Sequence, residues 1–405
     1  MSIDLESFYK DLHRHPELGF SEHRTSALAA GQMRALGLEV TEGVGGTGVI
    51  AVLQNGDGPV VHLRADMDAL PVREQTGLDY ASTGTAIDAR GVEVPVMHAC
   101  GHDMHVTCLI GAVSRLVERR TEWSGTLVAV FQPAEEGIAG AAALVADGYL
   151  DRFPRASVVL GQHVAPLPAG VIALHSGVAL ASTDSIDVVF TGRGGHGSRP
   201  HTTIDPLVTA AATVQRFQGI VSREVEPGQL AVVTVGSFHA GSKSSIIPAT
   251  ATLGLNVRAV DPNVRTRVLT AIERIARAEA AASGMTVEPV FTVVEQGDAT
   301  INDPSATERV RRRFAAEFGE ASVQDLGVAS GSEDVGVLAL AANSPLVFWF
   351  LGGIDPATFA AAIAGDSVEQ DIPSNHSPFF APVVQPTISH GVAALTGAAF
   401  EWLGG

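Results

Sequence analysis

Only two cysteines, Cys100 and Cys108, occur in the 405 residues, so no disulfide framework holds this chain together. A reducing, cytoplasmic setting is expected. Cations are scarce: 26 lysines and arginines stand against 44 aspartates and glutamates, a formal net charge of -18. That balance argues against nucleic acid and anionic membrane surfaces as partners. A local cluster of cations can still receive a small anionic substrate. No apolar run approaches the ~20 residues that span a bilayer. The opening, Met1 to Glu17, carries Asp4, Glu6, Lys10, Asp11 and Arg14 and shows no apolar core of a secretory signal. Internal repeats and low-complexity tracts are also missing.

What remains is a globular composition, 46% hydrophobic with 17% charged residues, in a chain longer than one hydrophobic core usually serves, so two domains are expected. Short runs rich in β-branched residues, Val49–Leu53, Val60–Arg64, Thr126–Phe131, Ser157–Gly161 and Leu346–Phe350, read as buried strands, with Gly43–Gly48 as a tight turn before the first. After His102, Leu109, Ile110, Val113, Leu116 and Val117 fall at helical spacing. Strands alternating with helices imply an α/β three-layer sandwich on a mostly parallel sheet.

The middle of the chain reads differently. Ser185–Phe190 alternates as a strand, and Asp205–Val221 carries a helical stripe of Leu207, Ala211, Val214 and Phe217. Leu230–Ser237 and Thr250–Arg258 are strands again. Asp261-Pro262 opens a helix bearing Val268, Leu269, Ile272, Ile275 and Ala276, which Gly284 closes. A last strand, Met285–Val294, completes a β-α-β-β-α-β unit, the ferredoxin-like order. The expected organisation is 1–182 and 295–405 for a larger domain and 183–294 for a smaller α+β domain inserted in it.

Polar residues gather where the strands of the larger domain end. Asp66 and Asp68 follow one, Gln132-Pro133-Ala134-Glu135-Glu136 another, and His163 a third. Ligands of open α/β sheets bind at the carboxyl ends of strands. His98-Ala99-Cys100-Gly101-His102-Asp103-Met104-His105, leading into a helix, adds nitrogen and sulfur donors to the same edge. Adjacent glutamates after a buried strand fit a helix amino terminus. They equally fit a division of labour in which one binds a cation and its neighbour, diverging from it, works as a base. A mixed thiolate, imidazole and carboxylate set suits Zn²⁺, Mn²⁺, Co²⁺ or Ni²⁺ over Ca²⁺ or Mg²⁺.

Taken together and in order, His13–Glu17, Arg64–Pro71, His98–His105, Gln132–Glu136, Gly192–His201 and His376-Ser377-Pro378 resemble the aminoacylase, hippurate hydrolase and indole-acetyl amino acid hydrolase branch of the dinuclear metallopeptidases. The resemblance implies two divalent ions, Zn or Mn before Co or Ni, held by Cys100, His102, Glu136, His163 and His376, with Glu135 as general base. Asp66 and Asp68 would orient these groups from behind. It further implies that the inserted domain is a lid and dimerisation domain. From there His196 would reach the partner's site to stabilise the oxyanion, and Asn256 and Arg258 would meet the substrate; for Arg258 a plain salt bridge is an equal alternative. His15 and His201 are left structural. Val335 and Ala143 depart from the aromatic and methionine residues common at those places, which bears on pocket shape.

The activity so implied is metal-dependent hydrolysis of small N-acyl amino acids by a homodimer, with dipeptidase or carboxypeptidase action as the runner-up. Gly192-x-Gly194-x-x-Gly197 formally matches a dinucleotide fingerprint, but Pro200 interrupts the next turn and no acid follows about 20 residues on. A non-catalytic scaffold is opposed by the intact Glu135-Glu136 pair.

Overall fold

The computed structural model describes residues 3–404. Met1, Ser2 and Gly405 lie outside the described residues, so the start of the Met1–Glu17 segment is not described. The chain divides into two compact units, one running to Ala179 with Ile301–Val328 and everything from Asp334, the other comprising Leu180–Thr300 and Ala329–Glu333.

The first unit is built on eight strands: β1 (Glu39–Val44), β2 (Gly48–Asn55), β3 (Val60–Asp66), β4 (Gly125–Gln132), β5 (Val158–Pro168), β6 (Ile172–Ala173), β7 (Val323–Gln324) and β8 (Leu346–Ile354). Their order is β1-β2-β4-β3-β5-β8-β6-β7. The four central strands β4, β3, β5 and β8 are parallel. β1-β2, β2-β4 and β8-β6 are antiparallel. β6-β7 is parallel as well, so the sheet is mixed around a parallel centre with four of its seven pairings parallel. The reason lies in the turn after β1: Gly45-Gly46 let the chain fold straight back into β2, and a hairpin is antiparallel by construction.

Alternation along β2 and β4 explains the layering. Val49, Ala51 and Leu53 with Leu127, Ala129 and Phe131 enter one buried cluster, shared with helix α1 (Leu5–Arg14), α2 (His23–Ala35), α3 (His102–Glu118) and α5 (Val384–Leu403). Ile50, Val128 and Val130 enter another on the opposite face, with Ala141 and Leu144 of helix α4 (Gly140–Ala146). Both faces being covered, the central strands are apolar on each side.

The exceptions inside β3 are informative. His62 is buried; its Nδ1 accepts the Tyr149 hydroxyl at 2.5 Å and its Nε2–H donates to the Pro154 carbonyl at 2.9 Å. Burial pushes its pKa down to about 4. A histidine held neutral in the fold but titrating near 6.5 when unfolded contributes stability that is present above that pH and lost as the pH falls toward 4. The three tryptophans, Trp123, Trp349 and Trp402, all belong to this unit, so their fluorescence follows its unfolding. Between pH 7 and 5 in urea, replacing His62 by Gln should shrink the loss of stability by roughly 2 kcal/mol. An unchanged pH dependence would refute the assignment.

The second unit has strands Ala231–Ala240, Thr250–Ala259, Ser182–Thr191 and Val290–Gly297 in that sheet order, all antiparallel. Helices Pro206–Glu224 and Pro262–Ala282 cover one face. Each opens with an aspartate cap and a proline: Asp205 accepts the Leu207 N–H at 2.9 Å, and Asp261 those of Asn263 and Val264 at 2.7 and 3.0 Å. Two details differ from expectation. The first helix buries Thr209, Ala210, Thr213, Phe217 and Ile220, while Leu207 is 39% exposed. The last strand starts at Val290 and not at Met285, because Gly284 at φ +75° ends the helix and the Met285 N–H still bonds back to Ala280.

Candidate active site

β3, β4 and β5 run parallel, so they deliver Asp66, the 133–136 loop and His163 to one edge. His163 does not follow its strand, as the sequence suggested, but lies within it. β5 outruns β3: Arg64 pairs with Gly161, which brings the end of β3 level with His163. α3 starts on the same edge after Gly101, at φ +83°, where a Cβ would lie 2.3 Å from Val164.

Around this edge the side chains converge. Cys100 Sγ is 3.4 Å from His163 Nε2. His102 Nε2 stands 3.8 Å from both Glu136 Oε1 and Glu135 Oε2, and His376 Nε2 is 3.3 Å from Glu136 Oε2. His376 reaches in from a left-handed residue, φ 69°, whose N–H donates to the Ala99 carbonyl at 2.8 Å. Asp68 organises the rest. Its Oδ1 is 3.3 Å from His102 Nδ1, and its two oxygens accept the Glu135 and Glu136 backbone N–H groups, each at 3.0 Å. Two neighbouring glutamates thus hang from one carboxylate, and both of their side chains come within 3.8 Å of His102 Nε2.

His105, three residues beyond His102, belongs to a cluster that also contains Asp66, His102 and His163. It is not free to ligate. Its Nε2 accepts the Val164 N–H at 2.7 Å, which fixes the proton on Nδ1, and that nitrogen meets Asp66 at 2.5 Å. Asp66 is in turn held by Arg64 at 2.6 Å. Arg64 is wholly buried and also donates to Gln132 at 2.9 Å and Asp334 at 3.2 Å. In the sequence, the supporting roles of Arg64, Gln132 and Asp334 leave one visible signal, an arginine closing an apolar strand. Asn375 leaves no such signal: its amide donates to the Cys100 and Val164 carbonyls, at 3.2 and 3.1 Å.

The donors fit a divalent cation. Cys100, His102 and Glu136 place ligand atoms within 4.8 Å of one another, and His102 Nε2 and Glu136 Oε1 are buried with no hydrogen-bond partner. Buried polar atoms rarely stay unpaired, and Asp68 at Nδ1 leaves the Nε2 lone pair of His102 for a ligand, the usual arrangement at metal sites. Electrostatics agree. Burial, then the Glu136 and Glu135 carboxylates, push the Cys100 thiol well above its usual range, and burial raises Glu136 to about 7. Against the cost of burial, Asp66, Asp68 and Glu136 raise His102 to about 10. With no dication counted, a proton on His102 partly offsets the carboxylates around it, and a dication at Nε2 would take that proton's place.

The remaining expected residues lie in the second unit. His196 is exposed on a two-residue strand, Gly195–His196, paired with Ile246–Ile247; its Nδ1 accepts the Ser198 N–H at 3.1 Å, so the proton sits on Nε2. Asn256 donates to Thr183 and Ser185, both at 3.1 Å. Arg258 donates to Asn256 at 2.9 Å and to Ser332, hydroxyl and amide oxygens in place of a carboxylate partner.

Comparison with known proteins agrees in direction. A model described as peptidase family M20/M25/M40 matches residues 62–364. Hippurate hydrolase of Campylobacter jejuni is 38% identical over 319 residues, 78% of this chain and 80% of that protein. Thermostable carboxypeptidase 1 of Saccharolobus solfataricus is 35% identical over 348 residues, 85% of this chain and 84% of its own. Among solved structures, the Bacillus subtilis YXEP protein, described as a dinuclear metal binding peptidase, superposes with a TM-score of 0.76 at 28% identity, covering 98% of this chain and 96% of that one.

Proposed function

This chain belongs to peptidase family M20/M25/M40, and we infer that it is a metal-dependent amidohydrolase that cleaves the amide bond of N-acyl-L-amino acids, releasing a carboxylic acid and a free amino acid. The observation that carries this is the pair of glutamates hung from Asp68 beside a thiol and an imidazole whose Nε2 lacks a partner. Likeness to a hippurate hydrolase supports the N-acyl substrate class.

Cys100, His102, Glu136, His163 and His376 would hold two divalent ions, and the mixed thiolate, imidazole and carboxylate set suits Zn or Mn, with Co or Ni as substitutes. Such ions, when bound, polarise the amide carbonyl and make water acidic enough to deprotonate near neutral pH. Glu135 takes that water's proton and passes it to the departing nitrogen. The neighbouring Glu136 stays fixed, because both backbones end on Asp68. His196, carrying its proton on Nε2, would donate to the oxyanion in the site of a second copy. Asn256 and Arg258 would receive the substrate's carbonyl and carboxylate.

In this reading the second unit is an inserted ferredoxin-like lid through which two chains pair. Exposed Val232 and Phe238 on its edge strand Ala231–Ala240 support such pairing. No helix of the described residues is long and apolar enough to cross a membrane. The free Cys100 and Cys108 suit a cytoplasmic setting.

A carboxypeptidase reading has its own support in the 35% identity to thermostable carboxypeptidase 1. One panel separates the two: N-acetyl, N-benzoyl and indole-acetyl amino acids beside free dipeptides and N-blocked peptides, given to chelated enzyme before and after Mn²⁺, Zn²⁺ or Co²⁺. Metal-restored release of amino acid from the N-acyl compounds is expected. Activity confined to peptides would transfer the assignment to the peptidase.

A further inference from the structure

Glu22 is fully buried and stands at the amino-terminal cap of α2, yet its side chain caps nothing there. The carboxylate turns the other way. Oε1 accepts the Ala134 N–H at 2.8 Å, across 112 residues of sequence, and Oε2 accepts the Thr47 hydroxyl. Ala134 immediately precedes Glu135 and is left-handed, φ 46°; Ile138, on the far side of the two glutamates, is left-handed as well, φ 49°. A β-branched residue in that region is a genuine outlier, held only where its surroundings over-determine it.

The surroundings do so. Inside the loop, the Ile138 N–H donates to the Glu135 carbonyl at 2.7 Å and the Gly140 N–H to that of Ala134 at 3.1 Å. A Cβ on Gly140 would fall 1.6 Å from the Pro133 oxygen. From outside, Gly19 fits so closely that a Cβ there would come within 3.1 Å of Ala134 Cβ and 3.3 Å of Asp68 Oδ2. Three successive backbone N–H groups, of Ala134, Glu135 and Glu136, thus end on two buried carboxylates.

Asp68 holds the Glu135 N–H and the Gly140 N–H holds the Ala134 carbonyl, so the peptide after Ala134 is anchored at both ends. The peptide before it, Pro133–Ala134, is held through the Ala134 N–H by Glu22, so the left-handed φ between the two planes depends on Glu22 as well. Glu22 gives one oxygen to each of two donors, the Ala134 N–H and the Thr47 hydroxyl, so what it supplies at Ala134 is a fixed acceptor oxygen, which a side-chain amide could also present. We propose that Glu22 is a positioning residue of the reaction, acting through the Ala134 peptide to aim the Glu135 carboxylate. Freed of it, Ala134 relaxes toward negative φ and Glu135 swings away from the water it must deprotonate.

The proposal rests on Glu135 being the general base. Its test uses the full-length, metal-loaded enzyme below its melting temperature, with Glu22→Ala and Glu22→Gln each made alone and on Glu135→Gln. Glu22→Ala should lower kcat by about 30- to 100-fold with KM and metal content unchanged, since misplacements on the order of 1 Å cost that much. Glu22→Gln keeps an oxygen for Ala134, while its amide can donate to Thr47, and should stay within about threefold of the parent. On Glu135→Gln, the alanine variant should add no further loss, because the group it aims is gone. Amide exchange of residues 133–140 should quicken in Glu22→Ala and recover in Glu22→Gln, a readout that needs no turnover. A Glu22→Ala enzyme that melts earlier but keeps its kcat, or that exchanges 133–140 at the parent's rate, overturns the proposal. So does an equal loss on both backgrounds. If the parent hydrolyses neither N-acyl amino acids nor peptides, the functional reading fails, and the exchange comparison still decides what Glu22 holds.

Discussion

Glu135→Gln should cost about 10³- to 10⁴-fold in kcat while leaving the protein folded and metal-loaded. A positioned acid-base group is worth on the order of 10²–10⁴, and in the proposed role one carboxylate would work twice, on the water and on the leaving nitrogen. The substitution is nearly isosteric. The backbone N–H of residue 135 still donates to Asp68, and Glu136 keeps its own bond to the same carboxylate. The expected signature is therefore narrow: kcat collapses while KM, metal stoichiometry and melting temperature stay near those of the parent. Turnover within tenfold of the parent would remove Glu135 from the base role and direct attention to Glu136.

Asp68→Asn should do comparable harm by another route. Asp68 is buried and serves three donors, the imidazole of His102 and two backbone amides. Asparagine offers one oxygen and turns an NH₂ toward at least one N–H it cannot accept, so a buried donor is left unpaired at about 1–3 kcal/mol. The group lost also fixes the His102 tautomer, and such supports typically carry 10- to 100-fold in metal affinity. Combined with displacement of Glu135, kcat/KM should fall by about 10³-fold or more, with metal affinity weakened in chelator competition, unlike Glu135→Gln. Metal affinity within threefold of the parent would show Asp68 to be a mere turn former at the end of its strand.

Much of this was legible in the residues themselves. Val60–Arg64, Thr126–Phe131 and Leu346–Phe350 are strands because continuous apolar runs are what a sheet covered on both faces requires. The polar residues after them are conspicuous for the same reason. The misses have physical causes. In the Pro206–Glu224 helix the buried face includes two threonines, each of whose hydroxyls bonds a carbonyl four residues earlier: Thr209 to Asp205 at 3.0 Å and Thr213 to Thr209 at 2.8 Å. With their polarity satisfied locally they enter the core as small apolar residues, which a count of hydrophobic letters overlooks. His163 was placed past its strand because periodicity cannot tell that β5 runs on to Pro168. His105 and Arg64 required coordinates. What commits them are partners 59 residues away, at Val164, and 270 residues away, at Asp334.

The interrupted first unit has a consequence for how the chain emerges from a ribosome. β5 receives its parallel neighbour β8 only when residues 346–354 have been made, and Leu109 and Val113 of α3 share their cluster with Val392 and Leu395 of α5. The second unit, by contrast, has nearly its whole fold in one stretch, Leu180–Thr300. During synthesis it can close while the larger unit still waits, with an open strand edge and an uncovered apolar helix face, for its last third. Unpaired edges and bare apolar surface invite aggregation of nascent chains. Slow translation between residues 300 and 400, or loss of a chaperone that shields nascent chains, should therefore lower the yield of folded protein more than the same insult applied before residue 180.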